Sequence, residues 1–245
     1  MTAASVILFD LDDTLFAHRE AVDAAAATTL RTLDPQLDED TARAEVARWT
    51  ELEERHYHRY LSGELDYLGQ RRARARDFVA PYGVDLSADE AAEAWFLDYL
   101  HGYRDAWMLH DESLSTMSAL RSADPGVRFG LITNGDLDFQ MAKLDVLGLT
   151  PHLEHVIASG AVGVTKPDAG IFEIALELFG VAAHEAAYVG DRLRTDAIGA
   201  ASVGMLGIWL NRHGIVPASE DRAQAAALGV RTIRNLTELP NLLTA

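Results

Sequence analysis

The amino-acid sequence predicts an α/β protein, a doubly wound parallel sheet interrupted once by an all-helical insert. Three observations carry that expectation. Short runs rich in Val, Ile and Leu end abruptly in polar residues or Gly, the pattern of strands buried on both faces. Segments with apolar residues at helical spacing alternate with those runs, the order of a parallel sheet covered on both sides. One long interval breaks the alternation and carries no strand signal at all.

The strand signals fall at residues 5–9, 128–133, 155–158, 186–190, 205–210 and 230–233. Helical spacing covers residues 112–122, 136–147, 169–179 and 195–203 between them. From 17 to 110 only Ala-, Arg- and Glu-rich helical patterns occur, over 19–33, 39–61, 65–80 and 88–103. They are parted by Asp34-Pro35, Ser62-Gly63 and Pro81-Tyr82-Gly83, which are turn and breaker signals. The predicted division is therefore a core of residues 1–16 and 111–245, with a helical bundle of residues 17–110 inserted after the first strand. The alanines at 24–27 fit helix propensity, and no internal repeat is present.

Composition narrows the function classes. A chain of 245 residues that is 49% hydrophobic and 24% charged is an ordinary globular protein with room for one core and a smaller unit. A net charge of -17 opposes a polyanionic partner, so no nucleic-acid polymer is expected. With no cysteine, disulfides, thiolate zinc sites and thiol nucleophiles are excluded. The amino terminus has no basic segment and only a short apolar run, Val6-Ile7-Leu8-Phe9, so no signal peptide is expected. No run reaches the roughly 18 apolar residues of a membrane helix. A soluble, cytoplasmic protein is expected, monomeric or a small homo-oligomer.

The chemistry gathers at strand ends, where open α/β sheets bind ligands. The first strand runs into Asp10-Leu11-Asp12-Asp13-Thr14. Asp10 and Asp12, two apart on extended backbone, project to one side. Their mutual repulsion separates their tendencies to ionise, as a nucleophile and a proton donor require. The plainer alternative is that these acids cap a helix starting near Thr14. The second strand ends in Thr133-Asn134-Gly135, a hydroxyl and an amide able to donate to an oxyanion. After the third comes Lys166-Pro167 at a helix start, where a lone Lys is ordinarily a surface residue. The fourth ends in Gly190-Asp191, with Asp196 five residues on; these acids would complete a carboxylate ring for a hard cation.

Taken in order, these segments resemble the four motifs of the haloacid dehalogenase superfamily: Asp10-Leu11-Asp12-Asp13-Thr14, Thr133-Asn134, Lys166-Pro167, and Gly190-Asp191 with Asp196. The resemblance implies a Rossmann-like core, with residues 17–110 as a helical cap between the first two motifs. It further implies an Mg²⁺-dependent phosphatase. Asp10 would attack phosphorus to give an aspartyl-phosphate, and Asp12 would protonate the leaving oxygen and then activate water. Mg²⁺ would be held by the Asp10 carboxylate, the Asp12 carbonyl and the Asp191 carboxylate. Thr133, Asn134 and Lys166 would hold the phosphate, Lys166 also offsetting the charge of Asp10, while Thr14, Gly190 and Asp196 support the site. Haloacid dehalogenases themselves lack an acid at the position of Asp12, which favours phosphoryl chemistry.

The substrate is expected to be a small phosphorylated metabolite. The segments Asp12–Phe16, Ile132–Gly135 and Trp209–Asn211 look most like pyrimidine 5′-nucleotidase members, which puts a nucleoside 5′-monophosphate among the candidates. A phosphomutase acting on a sugar phosphate would use the same core residues, and a non-catalytic binding member is the alternative from another class. Within the insert, residues 56–60 (His-Tyr-His-Arg-Tyr) and the arginines at 71, 72, 74 and 76 could meet a substrate. They fit packing and a solvated, Glu-paired face better. His18 and Arg19 are balanced between the two readings, whereas Trp95, Phe96, Tyr99 and Tyr103 at helical spacing are expected in the bundle core.

Overall fold

A computed structural model describes residues 4–244. Its six strands form one parallel sheet in the order β3-β2-β1-β4-β5-β6. They are β1 (Val6–Phe9), β2 (Arg128–Thr133), β3 (His155–Ala158), β4 (Ala186–Gly190), β5 (Leu206–Leu210) and β6 (Arg231–Ile233). The fold is the expected α/β, doubly wound class. All four residues of β1 are buried, because it lies mid-sheet, pairing Phe9 with Leu131 of β2 and with Val189 of β4. Strand order reverses around β1, so the carboxyl ends of β1, β2 and β4 open onto the crevice where such sheets bind ligands.

The chain divides into two compact units, one of the described residues up to Ala17 and from Met108 on, the other His18–Trp107. The second unit holds α1 (His18–Leu33), α2 (Glu39–Leu61), α3 (Tyr67–Val79) and α4 (Asp89–Asp105). Its core forms around Trp49, fully buried, whose ring lies 4.8 Å from Phe78 and 4.3 Å from Tyr99 and whose Nε1 donates to the Tyr99 hydroxyl at 2.9 Å. Phe96, Tyr99 and Tyr103 are buried and Trp95 is half-buried. Several of the insert's charges pair with one another. Glu53 pairs with Arg74 and, at 3.5 Å, with Arg19, and lies 3.7 Å from His18. Arg72 and Arg76 pair with Asp89, and buried His56 meets Asp77 at 2.9 Å. Arg74 is itself buried over Trp49 and Phe96, so the basic stretch is less solvated than expected.

The remaining helices belong to the first unit: α5 (Ser113–Ala123), α6 (Leu137–Val146), α7 (Ser159–Val162), α8 (Ala169–Phe179), α9 (Gly199–Ser202), α10 (Ser219–Ala227) and α11 (Leu239–Thr244). The regular helix expected over 195–203 is instead a π-helical turn, Leu193–Ile198, running into α9. Such widened turns redirect a side chain, here Asp196, and concentrate at functional sites. No helix begins near Thr14; α1 starts at His18, so the capping alternative for the acidic cluster fails. Among the described residues no helix is long and apolar enough to cross a membrane.

Candidate active site

The site is built on the end of β1. Asp10 continues the strand by one hydrogen bond, its N–H donating to the Val189 carbonyl at 2.8 Å, and its residue is only 7% exposed. The chain then closes tightly: the N–H groups of Leu15 and Phe16 both reach the Leu11 carbonyl, at 3.0 and 2.9 Å. This turn needs Asp13 in the left-handed region, φ 60, which Asp tolerates better than most residues. Thr14 donates its hydroxyl to Asp10 Oδ2 at 3.3 Å. Arg212, in the loop after β5, clamps the turn from outside by donating to the Thr14 carbonyl at 2.9 Å while pairing with Glu112.

Lys166 is buried, and its ammonium has three oxygen partners: Asp10 Oδ1 at 2.6 Å, Asp196 Oδ1 at 2.8 Å and the Tyr188 hydroxyl at 2.8 Å. Tyr188, on β4, lies 3.0 Å from the Ile132 carbonyl, to which its hydroxyl donates. Asp196 accepts the Arg192 N–H at 2.9 Å on its other oxygen. Gly190 makes room for it, since a Cβ there would stand 2.4 Å from Asp196 Cγ. The peptide bond between Lys166 and Pro167 is cis, and Asn134 brackets its residue. Asn134 Nδ2 donates to the Lys166 carbonyl at 3.0 Å and Oδ1 accepts the Lys166 N–H at 2.8 Å. With one of its two amide donors and its carbonyl acceptor, Asn134 satisfies both backbone groups of a loop that no strand pairs.

Asp12 has a separate set of partners. Its Oδ1 takes Lys143 Nζ at 2.6 Å and its Oδ2 lies 3.3 Å from Gln140 Nε2, which also donates to Thr133 Oγ1 at 2.8 Å. Three carboxylates, of Asp10, Asp191 and Asp196, present oxygens within 4.8 Å of one another. Such crowding shifts the protonation of Asp10 and Asp191. Burial, partly opposed by Lys166, and then Asp196 and Asp12 push the Asp10 carboxyl up to about 7. Burial, with Asp10 and Asp196, holds Asp191 well above the usual carboxylate range. Burial alone would lower the Lys166 ammonium, but Asp10 and Asp196 outweigh it and keep it charged. Trp209 Nε1 steadies this end by donating to the Asp191 carbonyl at 2.8 Å.

The structure thus brings Asp10, Thr14, Lys166, Asp191 and Asp196 together, with Asp12 and Thr133 joined through Gln140. Sequence reasoning missed Tyr188, Gln140, Lys143 and Arg212. Tyr188 sits in a run that reads simply as buried strand, and its only signal is a hydroxyl on a fully buried ring. His18 and Arg19 are occupied within the insert, at 2.8 Å from Tyr103 and Thr50.

The sequence pattern of the haloacid dehalogenase-like hydrolases matches residues 4–204, and the chain belongs to that family. It is 31% identical over 246 residues to the glyceraldehyde 3-phosphate phosphatase of Pyrococcus furiosus, covering 99% of this chain and 93% of that one. It is 32% identical over 133 residues to the pyrimidine 5′-nucleotidase YjjG of Escherichia coli, which covers 54% of this chain and 55% of the nucleotidase. In structure it is similar to the HAD-hydrolase YfnB of Bacillus subtilis, with a TM-score of 0.79, 21% identity and full coverage of both chains.

Proposed function

We propose that the chain hydrolyses small phosphomonoesters through an aspartyl-phosphate on Asp10. The observation that carries this reading is the buried Lys166 ammonium at 2.6 Å from Asp10 Oδ1. It fixes one carboxylate oxygen and offsets charge that would otherwise repel an incoming phosphoryl group. The other oxygen of Asp10 attacks phosphorus as the bond to the leaving oxygen breaks, and the proton carried by Asp12 passes to that oxygen. Asp12, now a carboxylate, takes a proton from water as the water oxygen displaces Asp10 and frees phosphate. Thr133, whose oxygen accepts from Gln140, keeps its hydroxyl proton for a phosphoryl oxygen.

The donor set fits magnesium. Asp10, buried, and Asp191, half-buried, are all-oxygen donors crowded into one corner, where desolvation and mutual repulsion disfavour their charged forms. A hard dication matches that chemistry. They would hold it together with the Asp12 carbonyl, and when bound it would supply positive charge to the phosphoryl oxygens. Asp196, already spent on Lys166 and the Arg192 N–H, supports this corner from behind. The insert, as a cap, would exclude water and select the substrate.

Phosphate release would be followed over a panel of glyceraldehyde 3-phosphate, sugar phosphates and nucleoside 5′-monophosphates, with Mg²⁺ or EDTA, beside Asp10→Asn. Mg²⁺-dependent release that Asp10→Asn lowers by at least about 10³-fold is expected. No release from any member would make the chain a binding member of its family. Isomerised sugar phosphate with little free phosphate would make it a mutase. Equal rates on nucleotides and triose phosphates would end the nucleotide reading.

A further inference from the structure

Beside Leu144, helix α6 buries two residues unusual for a helix that covers a sheet, Gln140 and Lys143. Gln140 and Lys143 are three apart, so they share a face, and they are only 3% and 2% exposed. A buried ammonium is strongly unfavourable unless paired. Lys143 is paired with Asp12, at 2.6 Å to Oδ1, and its charge also lies over the rings of Phe16 and Phe139, at 4.6 and 5.5 Å. Gln140 approaches the other oxygen of the same carboxylate at 3.3 Å while holding Thr133. Gly135 allows that approach, since a Cβ at this position would lie 3.1 Å from Gln140 Nε2.

The terminal torsion of an aspartate is broad, and one hydrogen bond leaves its carboxylate plane loosely set. Two donors, one on each oxygen, define that plane. We propose that Gln140 and Lys143 are positioning residues that aim the Asp12 carboxyl at the leaving oxygen. This rests on the reading of Asp12 as proton donor. In the step they serve, the phosphorus–oxygen bond to the leaving group breaks as the Asp12 proton moves to that oxygen. Misaiming the donor costs most where the leaving oxygen is most basic, and least where it departs unprotonated. A pair that only anchors α6 would instead affect all substrates alike.

The test compares kcat/KM, which reports steps through departure of the leaving group, for an alkyl phosphomonoester and for p-nitrophenyl phosphate. The variants are Lys143→Met and Gln140→Leu, each alone and combined with Asp12→Asn. Lys143→Met is expected to lower the alkyl value by roughly 10- to 100-fold and the p-nitrophenyl value by less than about threefold; Gln140→Leu, which also releases Thr133, should lower the alkyl value at least about tenfold more than the p-nitrophenyl value. In the Asp12→Asn background the difference between the two substrates should vanish. Equal losses on the two substrates, no loss on either, or an undiminished difference beside Asp12→Asn would each overturn the proposal. Should Lys143→Met not fold, Gln140→Leu decides by the same ratio. The underlying reading fails separately, if Asp12→Asn alone does not discriminate between the two leaving groups.

Discussion

Gly190 is the position where one methyl group tests how the site is assembled. Built on the observed backbone, an alanine Cβ there lies 2.4 Å from Asp196 Cγ, 2.5 Å from its Cβ and 2.5 Å from its Oδ2, about 1 Å inside ordinary van der Waals contact. None of these atoms can yield cheaply, because Asp196 is 1% exposed and tied to both Lys166 and the Arg192 N–H. If the side chain swings away, Lys166 loses one of its two carboxylate partners in a buried setting. Breaking such a pair costs about 3–5 kcal/mol, which for a chain of this size lowers Tm by roughly 6–20 °C. Phosphatase activity should fall at least about 100-fold, because Lys166 also holds Asp10. The assay is a thermal melt and a phosphate-release rate on Gly190→Ala, Asp196→Gly and the double variant. Asp196→Gly removes all three clashing atoms, so adding Gly190→Ala to it should cost less than about 1 kcal/mol. A Gly190→Ala protein that melts within about 2 °C of the parent, or a cost undiminished beside Asp196→Gly, would refute the reasoning.

Tyr188→Phe should lower stability by about 1–2 kcal/mol in urea unfolding, since the hydroxyl bridges Lys166 and the Ile132 carbonyl; an unchanged midpoint would count against that bridge. Trp49→Ala should cost about 3–5 kcal/mol and weaken the near-ultraviolet signal of the helical insert, as Trp49 is fully buried among Phe78, Phe96 and Tyr99; an unchanged melt would count against this core. Glu53 gives a pH prediction. Burial alone would raise its carboxyl, but Arg74 first, then His18 and Arg19, hold it well below its ordinary 4.5. A depressed acid stabilises fully above its unfolded value and loses that contribution as pH falls below it. Glu53→Gln should therefore be less stable than the parent by about 2–4 kcal/mol at neutral pH, the gap closing as pH drops below 4.5. A gap independent of pH would show the ion pairs to be incidental.

The periodicity of the chain located the strands to within a residue, because buried parallel strands need unbroken apolar runs whatever surrounds them. The helical insert was legible for a related reason, since residues 17–110 carry no strand signal with which to join the sheet. Asp10, Asp12 and Asp191 stood out as acids at the ends of apolar runs, where burial needs an explanation, whereas Lys166 at a helix start gained its meaning only from the order of all four motifs. Sequence alone left hidden how those residues are held. Lys166 meets Asp10 across 156 positions and Lys143 meets Asp12 across 131, and such pairs follow from strand order and helix rotation rather than from any local pattern. For the same reason Tyr188, Gln140 and Lys143 read as core or surface until the sheet was assembled around β1. Asn134 shows the limit at one residue: its type announced hydrogen bonding, but only the path of the Lys166 loop decided that its partners are backbone groups. Local sequence determines where the apolar strands and helices lie, and the tertiary fold decides which charges are buried and which of them face each other, because Coulombic and hydrogen-bond partners are chosen by distance in space.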